Sequence, residues 1–209
     1  YPVMVKPSGG GGGMGMQIVY EPAQLEDAVL RARAIGVSAF DQAGVYLEKY
    51  IEQPRHIEFQ ILGDGQGNAI HLYERDCSVQ RRNQKLIEES PAPGISPDIL
   101  EREAHRSAEV CAGLGYDNIG TLETLFTPAG DMGFLEMNTR IQVEHGVTES
   151  ITGCDLVALQ IGLAQGDALP VQPERKGFAV EARLYAEDSV SMLPSTGRLS
   201  VFRPPRMYG

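Results

Sequence analysis

The sequence predicts an α+β fold with mostly antiparallel strand pairing. Three observations carry that expectation. "RHIEFQIL" and "AIHLYERDCS" alternate in hydrophobicity and flank the turn-rich "GDGQGN", which reads as a hairpin. "GTLETLF" and "MGFLEMNTR" repeat the arrangement around "TPAGD". The helical patterns are few, and they lie between the hairpins rather than after every strand.

Taken in order, "PVMVK" reads as a strand, followed by "KPSGGGGGMGMQ" with its six glycines. "MQIVY" is a second strand. "EPAQLEDAVLRARAIGVSAF" has helical periodicity, with Leu25, Ala28, Val29 and Ala32 on one face and Pro22 at an early helical position. "GVYLEKYI" is a third strand. In the first hairpin, Ile57, Phe59 and Ile61 are expected to lie with Ile70 and Leu72. "SPDILEREAHRSAEVCAGLGY" predicts a helix capped by Ser96, with Pro97 at its first position. "DLVALQIGLAQGD" predicts another, ending near Gly166, and "GFAVEARLYAED" a further strand. No internal repeat is present.

Composition narrows the function classes. Of 209 residues, 42% are hydrophobic, enough for a substantial core. The chain has 18 basic and 28 acidic residues, a net charge of −10, and a pI near 4.9. That balance argues against general binding to nucleic acid or acidic membranes. Cys77, Cys111 and Cys154 are dispersed without CxxC spacing, which predicts reduced thiols and a cytoplasmic setting. No apolar run approaches the roughly 18 residues of a membrane span. The chain opens on Tyr1 inside a strand and ends on "RPPRMYG". Both ends suggest a piece of a longer protein.

Three motifs can carry chemistry. Gly9 to Gly13 allow backbone N–H groups to approach phosphate oxygens, and Lys6 adds a positive charge. No GK[ST] follows, and a strand rather than a helix comes next, so neither a P-loop nor a Rossmann fingerprint is present. Glu123 and the alternating pair Glu136 and Asn138 lie on neighbouring predicted strands. Two carboxylates and an amide oxygen suit Mg²⁺, although a solvated sheet face has the same alternation. Arg140, Gln142 and Glu144 continue the alternation, with Arg140 on the same face if the strand extends. An arginine fork beside an amide suits a small planar anion, and a neighbouring carboxylate could take its proton. His145 reads as structural. His56, Glu58, Gln80, Arg81, Arg82 and Lys85 concentrate polar groups near the hairpin ends.

Together, "VKPSGGGGGMGM", "EKYIEQPRHIEFQILGDGQGN", "ERDCSVQRRNQK", "EESPAPG", "FLEMNTRIQVEHGVTE", "ITGCDLV" and "LPSTGRL" resemble the biotin carboxylase family of ATP-grasp enzymes. The strings cover nearly the whole chain. Asn83 in "QRRNQK", Gly146 in "VEHGVTE", "RLYAED" and Gly44 in "DQAGVYLEKY" look like the urea carboxylase (urea amidolyase) branch. Pro7 and Met14 depart from the usual family text around the glycine loop.

The resemblance implies an ATP-grasp fold. Residues 1–50 would be part of the lid subdomain, 51–176 the catalytic subdomain, and 177–209 the start of the C-terminal region, with the family's amino-terminal domain lacking. It implies that Lys6 and the amides of Gly9, Gly10, Gly11, Gly12 and Gly13 hold ATP phosphates. Glu48, Lys49, Tyr50 and Ile51 would meet adenine, and His56 and Gln80 would line the nucleotide site. Glu123, Glu136 and Asn138 would hold Mg²⁺ or Mn²⁺. Arg140, Gln142 and the Val143 amide would bind bicarbonate, with Lys85 beside the phosphate. Glu144 would be the base, and Arg183 would stabilise the biotin enolate.

The implied reaction is ATP-dependent carboxylation of biotin through carboxyphosphate, in which closure of the glycine loop excludes water. The implied partners are a biotinyl carrier domain and a carboxyltransferase domain, with homo-oligomerisation in the intact enzyme. The isolated piece is expected to be inactive. The competing readings are the biotin carboxylase of an acyl-CoA, pyruvate or guanidine-type carboxylase, and a nucleotide-binding piece without turnover.

Overall fold

The computed structural model describes residues 1–9 and 14–203. Gly10, Gly11, Gly12 and Gly13 of the glycine loop therefore lie outside the described residues.

A small three-stranded sheet comes first. Strands β1 (Val3–Pro7), β2 (Gln17–Val19) and β3 (Val45–Lys49) pair antiparallel in the order β2-β1-β3. Helix α1 (Leu25–Phe40) covers the sheet, closing a core of Val5, Val19, Ala28 and Ala32. Leu25 and Val29 pack at its edge, on the predicted face. Pro22 opens a 3₁₀ turn, Pro22–Gln24, and α1 begins only after it. At Gly9 a Cβ would lie 2.8 Å from the Gln42 side chain and 2.9 Å from Phe40 Cβ, so a glycine is needed here for close packing.

The larger sheet has six strands, each antiparallel to its neighbours, in the order β8-β7-β4-β5-β6-β9. They are β4 (Arg55–Asp64), β5 (Ala69–Arg81), β6 (Gln84–Ser90), β7 (Asp117–Phe126), β8 (Met132–Asn138) and β9 (Ala179–Ala182). Helix α2 (Pro97–Gly113) covers one face, packing Leu100, Ala104, Ala108 and Cys111 on Ile57, Phe59, Ile61 and Leu122. Ser96 holds the N-cap position but caps through its backbone: its carbonyl accepts from Ile99 and Leu100, and its side chain makes no capping bond. On the opposite face Leu62, Leu72 and Ile119 pack against Leu156 and Leu163 of α4 (Leu156–Ala164). Asp155 caps α4 through its side chain, which accepts from the Ala158 N–H. Among the described residues, no helix is long and apolar enough to cross a membrane.

Two strand readings need correction. Ile70 and Leu72 do not share a face with Ile57, Phe59 and Ile61. The register runs Leu62↔Ile70 and Ile61↔His71, then shifts to Phe59↔Glu74 and Glu58↔Arg75. Tyr73 is the extra residue and sits in the left-handed region at φ 67°. A one-residue bulge exchanges the two faces of everything beyond it. Leu72 therefore goes under α4, and Arg75 joins the same face at its polar end.

Nor does the strand after Glu136 extend to Arg140. It ends at Asn138, and Glu144 becomes the N-cap residue of α3 (His145–Thr152), a helix that the alternation concealed. Strand β6 was also concealed, inside the basic run. Arg81 pairs with Gln84 across a two-residue turn, Arg82–Asn83, with φ 53° and 62°. Both positive values mark a hairpin turn of the type that asparagine tolerates well.

His71 is 2% exposed beneath α2. Its Nδ1 accepts from the Tyr73 N–H at 3.3 Å, which leaves the neutral ring's proton on Nε2. The neighbouring Glu101 and His105 thus meet an N–H rather than a lone pair that could bind a metal. Burial lowers the His71 pKa from 6.5 to about 4. Protonation between those values favours the unfolded chain, so stability present above pH 6.5 is lost as the pH falls toward 4. His71→Phe should make that decline shallower, as measured by urea midpoints at neutral and mildly acidic pH. An equally steep decline would place the acid sensitivity elsewhere.

Gly120 in β7 gives a packing test. A Cβ there would stand 2.2 Å from Tyr116 Oη and 2.6 Å from Met137 Cε. Gly120→Ala should cost about 1–3 kcal/mol through overpacking. Adding Tyr116→Phe should restore part of the lost thermal stability, since the closest clash is with the hydroxyl.

Candidate active site

The bulge at Tyr73 and the alternation of β4 and β7 gather Glu58, Gln60, Arg75, Thr121 and Glu123 on one sheet face. All five are buried. They underlie a cleft of about 740 Å³ between the small and large sheets, and Glu123 of the five reaches its lining. The small sheet and the segment after it supply Lys6, Glu48, Lys49, Tyr50 and Ile51. The large sheet and its connections supply His56, Gln80, Lys85, Glu123, Glu136, Asn138, Arg140, Gln142, Val143, Glu144 and Arg183. Every described residue to which the resemblance gives a site role thus lines one cavity, except Gly9, which packs beside α1; Glu58, Arg81, Arg82 and His145, also noted in the sequence, do not line it.

At its centre is one ammonium shared by three carboxylates. Lys85 Nζ lies 2.6 Å from Glu58 Oε2, 2.9 Å from Glu123 Oε1 and 2.6 Å from Glu144 Oε1. Burial opposes its charge, but Glu58, Glu123 and Glu144 outweigh that and raise its pKa. For Glu123, burial pushes upward, but His56 and Lys85 bring the pKa down to about 2. His56 Nε2 stands 3.1 Å from Glu123 Oε2, and its Nδ1 meets Gln80 Nε2 at 3.1 Å.

Arg183 continues the lattice. Its Nε donates to Glu88 Oε1 at 2.6 Å and its Nη2 to Glu144 Oε2 at 2.8 Å. Both Glu144 oxygens therefore face cations. Burial raises the Glu88 pKa despite Arg183 beside it. Under the lattice lies Arg75, with its Nε 2.7 Å from Glu58 Oε1. Lys6 pairs with Glu48 at 2.5 Å on the small sheet.

The oxygen donors for a hard cation are also brought together. Glu123 and Glu136 are direct cross-strand partners, and Thr121 and Asn138 are the next pair on that face. Asn138 Nδ2 donates to Glu136 Oε1 at 3.3 Å, and its Oδ1 accepts from Arg140 Nη2 at 3.1 Å. The Glu136 and Glu123 carboxylates with the Asn138 carbonyl are an all-oxygen set of the kind Mg²⁺ takes. Gln142 reaches back to the sheet, its Nε2 donating to Glu123 Oε1 at 2.8 Å. His145 is structural, with Nδ1 2.8 Å from the Gln142 carbonyl.

Sequence reasoning missed Arg75, Glu88 and Tyr185. The signal for Arg75 was "ERD" inside an otherwise apolar strand, where a charge is buried only if paired. Glu88 lay in the unread strand β6. Tyr185 donates to the Lys85 carbonyl at 2.8 Å, from irregular backbone with no local signature. Two residues read as markers of the urea branch have local structural roles. Asn83 occupies a turn position with positive φ, and a Cβ on Gly146 would lie 3.2 Å from Glu181 Oε2.

The chain matches the family described as carbamoyl-phosphate synthase L chain, ATP binding domain, over residues 1–172. A biotin carboxylase from Allochromatium vinosum is 49% identical over 208 residues, covering 98% of this chain and 46% of that protein. The structure of a Campylobacter jejuni biotin carboxylase in complex with a β,γ-ATP compound superposes with a TM-score of 0.95 at 44% identity, over 100% of this chain and 47% of the other. The biotin carboxylase domain dimer of Hydrogenobacter thermophilus 2-oxoglutarate carboxylase, solved with MgADP, ADP and bicarbonate, gives 0.93 at 44% identity, with coverage of 100% and 47%. Kluyveromyces lactis urea carboxylase is similar over 68% of this chain and 13% of its own, with a TM-score of 0.65 at 42% identity. The chain spans about half the length of the biotin carboxylases it matches. With both sheets, the cleft between them and this match, the chain belongs to the carbamoyl-phosphate synthase L chain ATP-binding family and has the ATP-grasp fold, and biotin carboxylases are its relatives along nearly its whole length.

Proposed function

We propose that the chain is the ATP-grasp part of a biotin carboxylase, which uses ATP and bicarbonate to carboxylate biotin on a carrier domain. The observation that carries this reading is the Lys85 ammonium held among Glu58, Glu123 and Glu144, with Arg183 bridging Glu144 to Glu88. That arrangement places a movable cation, a carboxylate and a fixed guanidinium at one end of a cleft long enough for a nucleotide.

Glu48, Lys49, Tyr50 and Ile51 bind adenine, with His56 and Gln80 farther along the nucleotide. Lys6 neutralises phosphate charge. Glu123, Glu136 and Asn138 hold Mg²⁺ or Mn²⁺, which when bound offsets the negative charge of the phosphates. Arg140, Gln142 and the Val143 N–H orient bicarbonate. A Glu144 oxygen takes its proton as a bicarbonate oxygen attacks the γ-phosphorus and ADP departs. Lys85 can leave Glu144 for the phosphate and still keep Glu58 and Glu123. Carboxyphosphate then releases CO₂ and phosphate, and CO₂ passes to biotin beside Arg183. The complete enzyme requires a biotinyl carrier domain and a carboxyltransferase domain, and works as an oligomer in the cytoplasm.

The final acceptor is urea in this reading, supported by "RLYAED", Gly44 and the likeness to a urea carboxylase. A second reading gives an acyl-CoA or pyruvate acceptor. It is favoured by the turn geometry of Asn83 and the contact at Gly146, which explain both residues without reference to an acceptor.

The full-length enzyme should cleave ATP in a bicarbonate-dependent manner, and product assays with urea, acetyl-CoA and pyruvate decide the acceptor. Glu144→Gln should lower biotin carboxylation about 10²–10⁴-fold with little change in the KM for ATP. Wild-type turnover in that variant removes Glu144 as the base. Glu136→Gln should raise the Mg²⁺ concentration needed for half-maximal ATP cleavage, because a hard site loses one anionic donor. An unchanged Mg²⁺ titration would move the metal elsewhere.

A further inference from the structure

Arg75 is 0% exposed and is absent from the cleft lining, yet all five of its N–H donors are engaged. Nε donates to Glu58 Oε1 at 2.7 Å. Nη1 donates to Gln60 Oε1 at 2.7 Å and Thr148 Oγ1 at 2.8 Å. Nη2 donates to Thr121 Oγ1 at 3.3 Å and Gln142 Oε1 at 3.0 Å. The planar fork thus ties two strands of the sheet to the first turn of α3 and to the loop that carries Gln142.

The last of these bonds has a directional consequence. A glutamine amide is an acceptor at one end and a double donor at the other, and its surroundings decide which way it points. Here Oε1 faces a guanidinium, and Nε2 donates to the Glu123 carboxylate at 2.8 Å. Turning the amide over would set NH₂ against an arginine that can only donate, and Oε1 against a carboxylate that can only accept. Both contacts become repulsive, so only one orientation survives. One Nε2 proton goes to Glu123, and the second remains for a ligand in the cleft that Gln142 lines.

We infer that Arg75 is a positioning residue that locks the Gln142 amide with its N–H outward, and so makes this wall of the cleft selective for an anion's oxygen. The assignment of the anion as bicarbonate rests on the proposed function; the locked amide does not. Arg75 sits behind Gln142 and never touches the substrate. Its charge acts through Glu58, and its geometry through the amide. Lysine keeps the charge but lacks the fork, and cannot hold Glu58, Gln60 and Gln142 together.

The test uses the full-length enzyme and two readouts. The first is the Gln142 side-chain amide, followed by ¹⁵N NMR with assignment by Gln142→Met. In wild type its two protons should be distinct and protected from exchange. In Arg75→Lys they should exchange about tenfold faster or more. The second is kinetic: Arg75→Lys should raise the KM for bicarbonate about tenfold, the size of one hydrogen bond to an ionised group, with the KM for ATP within about twofold. The double variant Arg75→Lys/Gln142→Met should be no worse for bicarbonate than Gln142→Met alone, because both act through one amide.

Additive effects, or an unchanged bicarbonate KM with a lowered melting temperature, would make Arg75 a purely structural residue and overturn the proposal. If Arg75→Lys does not fold, the wild-type Gln142 amide decides: two distinct protons protected from exchange support the proposal, and protons that exchange at the rate of an exposed glutamine overturn it. A wild-type enzyme without bicarbonate-dependent ATP cleavage would sink the proposed function, and the NMR readout would still decide the role of Arg75.

Discussion

The site depends on burying four carboxylates among a few cations. Glu58, Glu88, Glu123 and Glu144 are all buried, and a lone buried carboxylate is costly enough to take up a proton instead. Each meets at least one cation. Glu58 lies between Arg75 and Lys85, Glu144 between Lys85 and Arg183, Glu88 against Arg183, and Glu123 beside Lys85 and His56. Lys85 is shared by three of these carboxylates and Arg183 by two, while Arg75 pairs with Glu58 alone. The lattice can therefore exchange partners as ligands arrive, whereas isolated pairs could not. The polar face of β4, β5 and β7 exists to hold these charges, and α2 and α4 hold the sheet.

The architecture follows from where the charges stop. On the face that carries the site, Leu62, Ile70, Leu72 and Ile119 fill the end under α4, while Glu58, Gln60, Arg75 and Glu123 fill the other. The opposite face is apolar beneath α2 along Ile57, Phe59 and Ile61, so β4 is buried on both sides. A bulge at Tyr73 makes this division possible on β5. Its left-handed residue exchanges inward and outward positions, so that Leu72 and Arg75, three apart, point the same way.

Most of the fold was legible because period-2 and period-3.6 patterns are strong where one side is polar, whether it meets water or the buried polar groups of the site. Both hairpins, α1, α2 and α4 were read from that signal. What escaped lies where the pattern is interrupted. The Tyr73 bulge has no glycine or proline to mark it, so the alternation of "AIHLYERDCS" was read one register too far. Helix α3 begins at His145, just after text that alternates polar and apolar residues, and that alternation gave no sign of a helix. Strand β6 runs from a basic turn into buried Glu88, and carries too many charges to look like a strand. Of the cleft-lining residues, Lys6, Glu123, Glu136, Asn138, Arg140, Gln142 and Glu144 stood out by pattern, and Glu48 to Ile51, Val143 and Arg183 through the resemblance. Arg75 and Glu88 did not stand out, since each was visible only once the bulge and β6 had given its side a direction.

The same constraint sets the polarity of the cleft. Four buried carboxylates face three permanent cations, and Glu136 adds a further acid at the rim next to Glu123. The floor is therefore short of positive charge on the side of Glu123, Glu136 and Asn138. On the far side, Arg140 donates to the Asn138 carbonyl, and Gln142 has its acceptor consumed by Arg75. On that wall Arg140 and Gln142 offer donors, and Glu144 beside them is the acceptor. In the proposed function a divalent cation would satisfy the first side and an oxyanion the second, and a nucleotide phosphate between them would meet both. The polarity across the cleft is thus set by which groups the sheet has already neutralised. Lys85, bonded to acids from β4, β7 and α3, sits at the boundary where a single move of its ammonium would shift charge from one side to the other.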